Sequence, residues 1–271
     1  MSRRRWWGTA GCLGAALVLA GHDLFLRPQA FLLPPGREVA VVVVNGTFTR
    51  SDAAVAPARV RALELVGPHG RQALPIARWR AEGDSARLRF RLPQAGTYVL
   101  GVALYPRTLE LSAADFDRYL REEGLDDIRR DRQRQGRTEQ SARERYTKHA
   151  KALLQAGSTR TDAPLRRLGH TAELVPLDHP YRLRAGETLR LQAWVRGAPA
   201  PGVTVIAAGL DRRGRRLPVQ RLRTDAQGTV RLRLTAPGVW YAKFIAMRAL
   251  PPDSSVDYVS DWATLTFAVP R

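Results

Sequence analysis

Alternation of apolar and polar residues dominates both flanks of the chain. Val39–Val44, Arg87–Leu92, Leu189–Val195 and Val230–Leu234 are β-branched runs or strict alternations bounded by glycine and proline, and they predict strands. In Arg87-Leu88-Arg89-Phe90-Arg91-Leu92 and Val230-Arg231-Leu232-Arg233-Leu234 the period of two sends every arginine to one face and every apolar residue to the other. Between the flanks the period changes to 3.6. Ser112-Ala113-Ala114-Asp115 matches a capping box, after which Phe116, Tyr119 and Leu120 line one helical face as far as Gly124. A second helix can begin at Leu125, and Asp126–Arg137 mixes both charge signs as a solvated helix or loop does. Ser141-Ala142-Arg143-Glu144 matches a further capping box, and Tyr146, Ala150, Leu153 and Leu154 predict a helix ending at Gly157.

The flanks also resemble each other. Arg89-Phe90-Arg91-Leu92-Pro93-Gln94-Ala95-Gly96-Thr97-Tyr98 runs in step with Arg231-Leu232-Arg233-Leu234-Thr235-Ala236-Pro237-Gly238-Val239-Trp240. Pro35-Gly36-Arg37-Glu38-Val39 likewise matches Ala185-Gly186-Glu187-Thr188-Leu189, and the segment from His22 matches that from His170. A repeat of strand, glycine turn and aromatic predicts a duplicated unit. The expected fold is mainly β: two antiparallel β-sandwich units joined by a helical segment. The expected organisation is a leader over 1–21, a first unit over 22–109, a helical connection over 110–164 and a second unit over 165–271.

Composition adds a compartment. Met1-Ser2-Arg3-Arg4-Arg5, then an uncharged run from Trp6 to Gly21, has the basic front, short apolar middle and small-residue end of a secretory signal peptide. The run is shorter than the roughly 20 residues of a membrane span. The single cysteine, Cys12, lies inside it, so a processed chain has no thiol for disulfides, nucleophilic catalysis or iron–sulfur ligation. Only Lys148, Lys151 and Lys243 of the 44 basic residues are lysine, and loss of the three leader arginines reduces the formal charge from +19 to +16. Because the arginines alternate along strands without clustered aromatics, this charge predicts salt-sensitive contact with polyanions or a membrane surface and no specific nucleic-acid site.

Several separate segments resemble one uncharacterised bacterial periplasmic family. They are His22-Asp23-Leu24-Phe25-Leu26, Asn45-Gly46-Thr47-Phe48, Tyr146-Thr147-Lys148-His149-Ala150-Lys151, Leu168-Gly169-His170, Gly238-Val239-Trp240-Tyr241 and Trp262-Ala263-Thr264-Leu265-Thr266-Phe267. Members are labelled a periplasmic component of nickel or cobalt uptake. The resemblance implies a prealbumin-like or immunoglobulin-like sandwich in the C-terminal half, no catalytic motif, and a metal-uptake membrane system or envelope protein as partner.

A metal site without cysteine must draw on His22, His69, His149, His170 and His179 and nearby acids. The candidate ligands for nickel, cobalt or copper are His22 and Asp23 at the mature N-terminus, His170 at the matching place in the second unit, and Asp178-His179 in a proline-bounded loop. Cleavage after Gly21 makes His22 the first residue, whose amine and imidazole chelate together, whereas cleavage after Ala20 leaves Gly21 in front of it. The same residues have bland readings as strand-start histidines and an Asx turn. No phosphate loop, Gly-x-Ser-x-Gly elbow, dinucleotide fingerprint or His-Glu-x-x-His is present in the sequence.

Three functions follow as expectations: a non-enzymatic exported binding or accessory protein for divalent-metal handling, an envelope module meeting an acidic partner or anionic lipid, and a copper enzyme with an N-terminal histidine brace. The first is favoured. Intact-mass measurement on exported protein is expected to show residues 1–20 or 1–21 removed, and a mass retaining them refutes processing.

Overall fold

The computed structural model describes residues 22–252 and 254–270, so the expected signal peptide lies outside the described residues. The first unit comprises β1 (Asp23–Pro28), β2 (Glu38–Thr47), β3 (Val60–Gly67), β4 (Gly70–Ala73), β5 (Ser85–Arg91) and β6 (Gly96–Leu104). There follow β7 (Arg107–Leu111), α1 (Ala113–Glu122), α2 (Asp126–Arg134) and β8 (Ala142–Ala156). The second unit comprises β9 (Ala172–Pro176), β10 (Thr188–Val195), β11 (Thr204–Asp211), β12 (Gln220–Arg223), β13 (Thr229–Arg233), β14 (Gly238–Ala249) and β15 (Tyr258–Val269).

One long sheet runs through both units in the order β12-β11-β14-β15-β8-β6-β3-β4, with β7 paired to the front of β8. Sheet β1-β2-β5 covers one half of it, and sheet β9-β10-β13 covers the other. The two covering sheets lie on opposite faces. On β8, Ala150, Ala152, Leu154 and Ala156 enter the core beneath β1-β2-β5, while Leu153 enters the core beneath β9-β10-β13. Strands β6 and β3 divide the same way: Leu100 and Leu65 go to the first core, Val99 and Val66 to the second.

The mainly β fold and the repeat expected from sequence are both present, down to atomic detail. Gly96 and Gly238 open equivalent strands at φ +153 and +152, conformations that disfavour any side chain. Two residues later Tyr98 donates its hydroxyl proton to the Gln94 carbonyl at 3.0 Å, and Trp240 donates its indole N–H to the Ala236 carbonyl at 3.0 Å. The N–H of Gly36 donates to the Leu92 carbonyl at 2.7 Å, and that of Gly186 to the Leu234 carbonyl at 2.6 Å. The equivalent strands β8 and β15 pair in parallel, from Glu144↔Tyr258 to Ala152↔Thr266. Parallel pairing of equivalent strands relates the units by rotation about the strand direction, which turns one over and explains the opposite faces.

The helix predicted from Ser141 to Gly157 is instead β8. Its every residue from Lys148 to Ala156 is buried, because it is a middle strand covered on both sides. Such a strand carries no clean apolar–polar alternation, and its alanines and leucines give a chance helical stripe. Tertiary burial overrides that local preference. By contrast α1 forms as its capping box predicts, the Ser112 hydroxyl accepting from the Asp115 N–H at 3.1 Å. It buries Phe116, Tyr119 and Leu120, and Tyr119 stacks on Trp262 of β15 with ring centroids 5.7 Å apart. The charged segment that follows is helical, as α2, from Asp126 to Arg134 and buries only Ile128 and Arg132.

Burial of β8 forces charges inward. On the face toward β9, Lys151 donates to Glu173 at 3.1 Å, and Glu173 also accepts the Leu168 N–H at 2.8 Å and the Gly169 N–H at 3.0 Å. Breaking one side of such a buried pair costs about 3–5 kcal/mol, since the remaining charge loses its partner. Lys151→Met is therefore expected to lower stability by that order in denaturant melts, and Lys151→Met with Glu173→Gln to recover most of the loss. A double variant no better than the single one refutes this. Gly238→Ala is expected to cost at least about 2 kcal/mol, because a Cβ there meets the Leu210 carbonyl at a backbone angle alanine avoids. An unchanged melting midpoint refutes the assigned strain.

Candidate functional site

Alternation along β8 sends Lys148 to the face opposite His149 and Lys151. There it meets a cleft of about 330 Å³ at the junction of the units. Asn45, Arg59, Arg107, Tyr146, Lys148, Trp262 and His22 supply its polar and aromatic lining, and Val55, Leu104 and Leu109 are among its apolar lining residues. Among the described residues no Asp or Glu lines it.

All three lysines are buried, at 6, 2 and 9% exposure for Lys148, Lys151 and Lys243, and each is satisfied differently. Lys243 on β14 lies between Asp23 at 2.6 Å and Glu123 at 2.7 Å. Burial pushes the Glu123 carboxyl up to about 7 despite that lysine. Lys151 has Glu173. Lys148 has no carboxylate within ion-pair distance among the described residues; it donates to the His22 carbonyl and, at 3.0 Å, to the Asn45 side-chain oxygen. Its nitrogen lies 5.3 Å from the ring centres of both Tyr146 and Trp262. Burial lowers its pKa to about 8, Asp23 and Glu144 oppose the shift, and Arg59 and Arg107 add to it.

Behind Lys148, Glu144 is buried and accepts from the Tyr119 hydroxyl at 3.2 Å and from the Ser260 hydroxyl, which in turn accepts the Trp262 N–H at 2.9 Å. Burial raises the Glu144 carboxyl. At the cleft, Arg59 donates to the Tyr105 carbonyl at 2.8 Å and keeps a buried Nε with no acceptor. Burial, then neighbouring Arg107, works against its charge.

The five expected metal ligands do not come together. His22 lines the cleft with its Nδ1 3.4 Å from Asp52 and no hydrogen-bond partner. Asp23 is held by Lys243. His170 lies on the other face of the sheet, its ring 5.3 Å from His149 and its Nε2 3.0 Å from Glu64. Asp178 is paired with Arg190 at 2.6 Å. His179 accepts the Tyr181 N–H through Nδ1, which leaves Nε2 protonated to donate to the Thr161 carbonyl at 3.1 Å. It is a turn cap. Among the described residues no three His, Cys, Asp or Glu side chains stand where they can hold one metal ion. His149, which the sequence leaves facing either core or solvent, is buried, and burial drops its pKa to about 3.

Sequence reasoning missed Arg59, Arg107 and Lys148. The arginines lie on separate elements with nothing local to mark them, whereas the scarcity of lysine singles out Lys148.

Comparison with solved structures finds matches at low similarity. A DUF4785 family protein from Legionella pneumophila matches at 12% identity and TM-score 0.24, over 80% of this chain and 50% of that one. Three N-terminal domains of the bacteriophage RB49 outer capsid protein Hoc match at 10% identity and TM-score 0.20, over 91% of this chain and 59% of that one. This chain thus spans less than two thirds of either. Domains MG0-NIE-MG1 of alpha-2-macroglobulin from Escherichia coli match at 13% identity and TM-score 0.20, over 92% of this chain and 72% of that one. No curated protein matches the sequence. The sequence pattern of a domain of unknown function, DUF4198, matches residues 19–248, and the chain belongs to that family.

Proposed function

We propose that the chain is an exported, non-catalytic binding protein of the periplasm, whose cleft takes a small anionic ligand. The observation that carries this reading is the convergence of Arg59, Arg107 and Lys148 on one cleft that no carboxylate lines. Like charges held near one another in a medium of effective dielectric about 20 repel by a few kcal/mol, and an anion between them reverses the sign. The volume, about 330 Å³, is that of a small-molecule site, and Tyr146 and Trp262 offer aromatic surface to a planar or apolar part of the ligand. Export rests on the basic and apolar leader, and the binding role on the absence of any recognised catalytic motif in the sequence.

Nickel or cobalt handling, and the metal-uptake partner that goes with it, receives less support, because the expected donors are dispersed and largely committed to other partners. One observation favours a narrower metal reading: Nδ1 of His22, the ring nitrogen that chelates together with the residue's own amine, is buried and unpartnered beside Asp52. Nickel or copper titrated into protein beginning at His22 then binds near one equivalent, and far more weakly when Gly21 is retained. Equal affinity of the two forms refutes it. The outer-strand arginines Arg231 and Arg233 point to solvent and serve as controls for non-specific attraction to anionic surfaces.

Calorimetric titration with citrate, pyruvate and sulfate tests the main reading. Arg107→Ala is expected to weaken the best of these by about 1.5–3 kcal/mol, roughly ten- to a hundredfold, as loss of a charge-assisted bond does. Arg231→Ala is expected to leave it unchanged. Affinity for citrate and sulfate, which have no ketone, should fall as pH rises through about 8, where Lys148 loses its proton, and their binding just above that pH should take up a proton. Absence of binding, or equal losses from Arg107→Ala and Arg231→Ala, overturns the proposal.

A further inference from the structure

In a chain that uses arginine for almost all its positive charge, lysine survives at three places, and all three are buried. Arginine stays protonated at any ordinary pH, whereas a buried lysine can become a neutral amine. For Lys151 and Lys243 the choice of lysine has a local explanation, since a compact ammonium fits against the buried Glu173 in the one and between Asp23 and Glu123 in the other. Lys148 lacks that explanation. Its two hydrogen-bond acceptors, the His22 carbonyl and the Asn45 oxygen, are uncharged and satisfy two N–H bonds, the number a neutral amine has. The third tetrahedral position has no acceptor among the described residues; in the neutral amine it is the nucleophilic lone pair. Trp262 and Tyr146 flank the nitrogen and limit its hydration, and the same cleft carries Arg59 and Arg107.

We propose that Lys148 is a reactive amine that captures a 2-oxo acid as a reversible imine, with Arg59 and Arg107 holding the carboxylate. This rests on the anionic-ligand reading and names the ligand class. A 2-oxo acid joins the two features the cleft offers: an anionic group for the arginines and an electrophilic carbon next to it for the amine. Lys148 first releases a proton to solvent. Its nitrogen lone pair then bonds to the carbonyl carbon while the C=O π pair moves to oxygen, and the first of the amine's two protons passes from nitrogen to that oxygen. The resulting carbinolamine loses its hydroxyl as water as the nitrogen gives up its second proton, so that amine and ketone become imine and water with no change of oxidation state.

The test is to incubate the exported, processed protein with pyruvate, reduce with borohydride, and locate any adduct by intact mass and peptide mapping. One reduced adduct on Lys148 is expected, with Lys151, Lys243 and the α-amine as internal controls in the same sample. Lys148→Arg and Lys148→Met should abolish it while retaining the native circular dichroism spectrum. Because wild-type mapping alone ranks the amines, a variant that misfolds does not blunt the test. An adduct no faster at Lys148 than at the α-amine, or no adduct at all, overturns the proposal. Lactate, which has the carboxylate but no carbonyl, separates the two readings. If lactate and pyruvate both bind and nothing is trapped, the imine fails and the anion site stands; if neither binds, the anion reading fails.

Discussion

The parallel pairing of β8 with β15 is the constraint on which the rest of the molecule depends. It joins the two units into one sheet, and β8 becomes a middle strand covered by one sheet above and by the other unit's material below. A strand so placed must have every side chain either packed or paired, because an unpartnered charge away from water costs several kcal/mol. Ala150, Ala152, Leu153 and Leu154 meet this by packing, and Lys148 and Lys151 by bonding.

Differences among the buried lysines carry the functional contrast. Lys243 ties together three parts of the chain, since Asp23 begins β1, Glu123 closes α1 and the lysine itself is on β14. Lys151 fixes the loop before β9 through Glu173, which collects two backbone N–H groups as well. Both are closed networks whose charges are answered inside the protein. At Lys148 no carboxylate stands within ion-pair distance among the described residues; Asp23 and Glu144 act on it from farther away, against Arg59 and Arg107, and it faces a cleft. The same residue type thus stands in two settings, with a paired carboxylate at Lys151 and Lys243 and with uncharged acceptors at Lys148.

The arginine alternations on β5 and β13 are solvent faces of the covering sheets. They place five of the 44 basic residues on solvent faces. The cleft brings together three basic side chains from a short helical turn's edge, β7 and β8.

By itself the sequence determined the strands with strong alternation, the capped helix α1 and the internal repeat. In each case the deciding interaction is local: a period of two, a serine three residues before an aspartate, or a glycine placed before an aromatic that bonds back four residues. The rarity of lysine is a signal that could have pointed to Lys148, which the reading of the sequence missed, and it says nothing of what surrounds that residue. Only the tertiary structure decided that Ala142–Ala156 is a strand, because burial on two faces removes the alternation that announces one. It alone separated His22 from His170, since their equivalent places in two units facing opposite ways put them on opposite sides of a sheet. It alone brought Arg59, Arg107 and Lys148 to one cleft, because the approach of residues from different strands is set by sheet order and register, which no short stretch of sequence encodes.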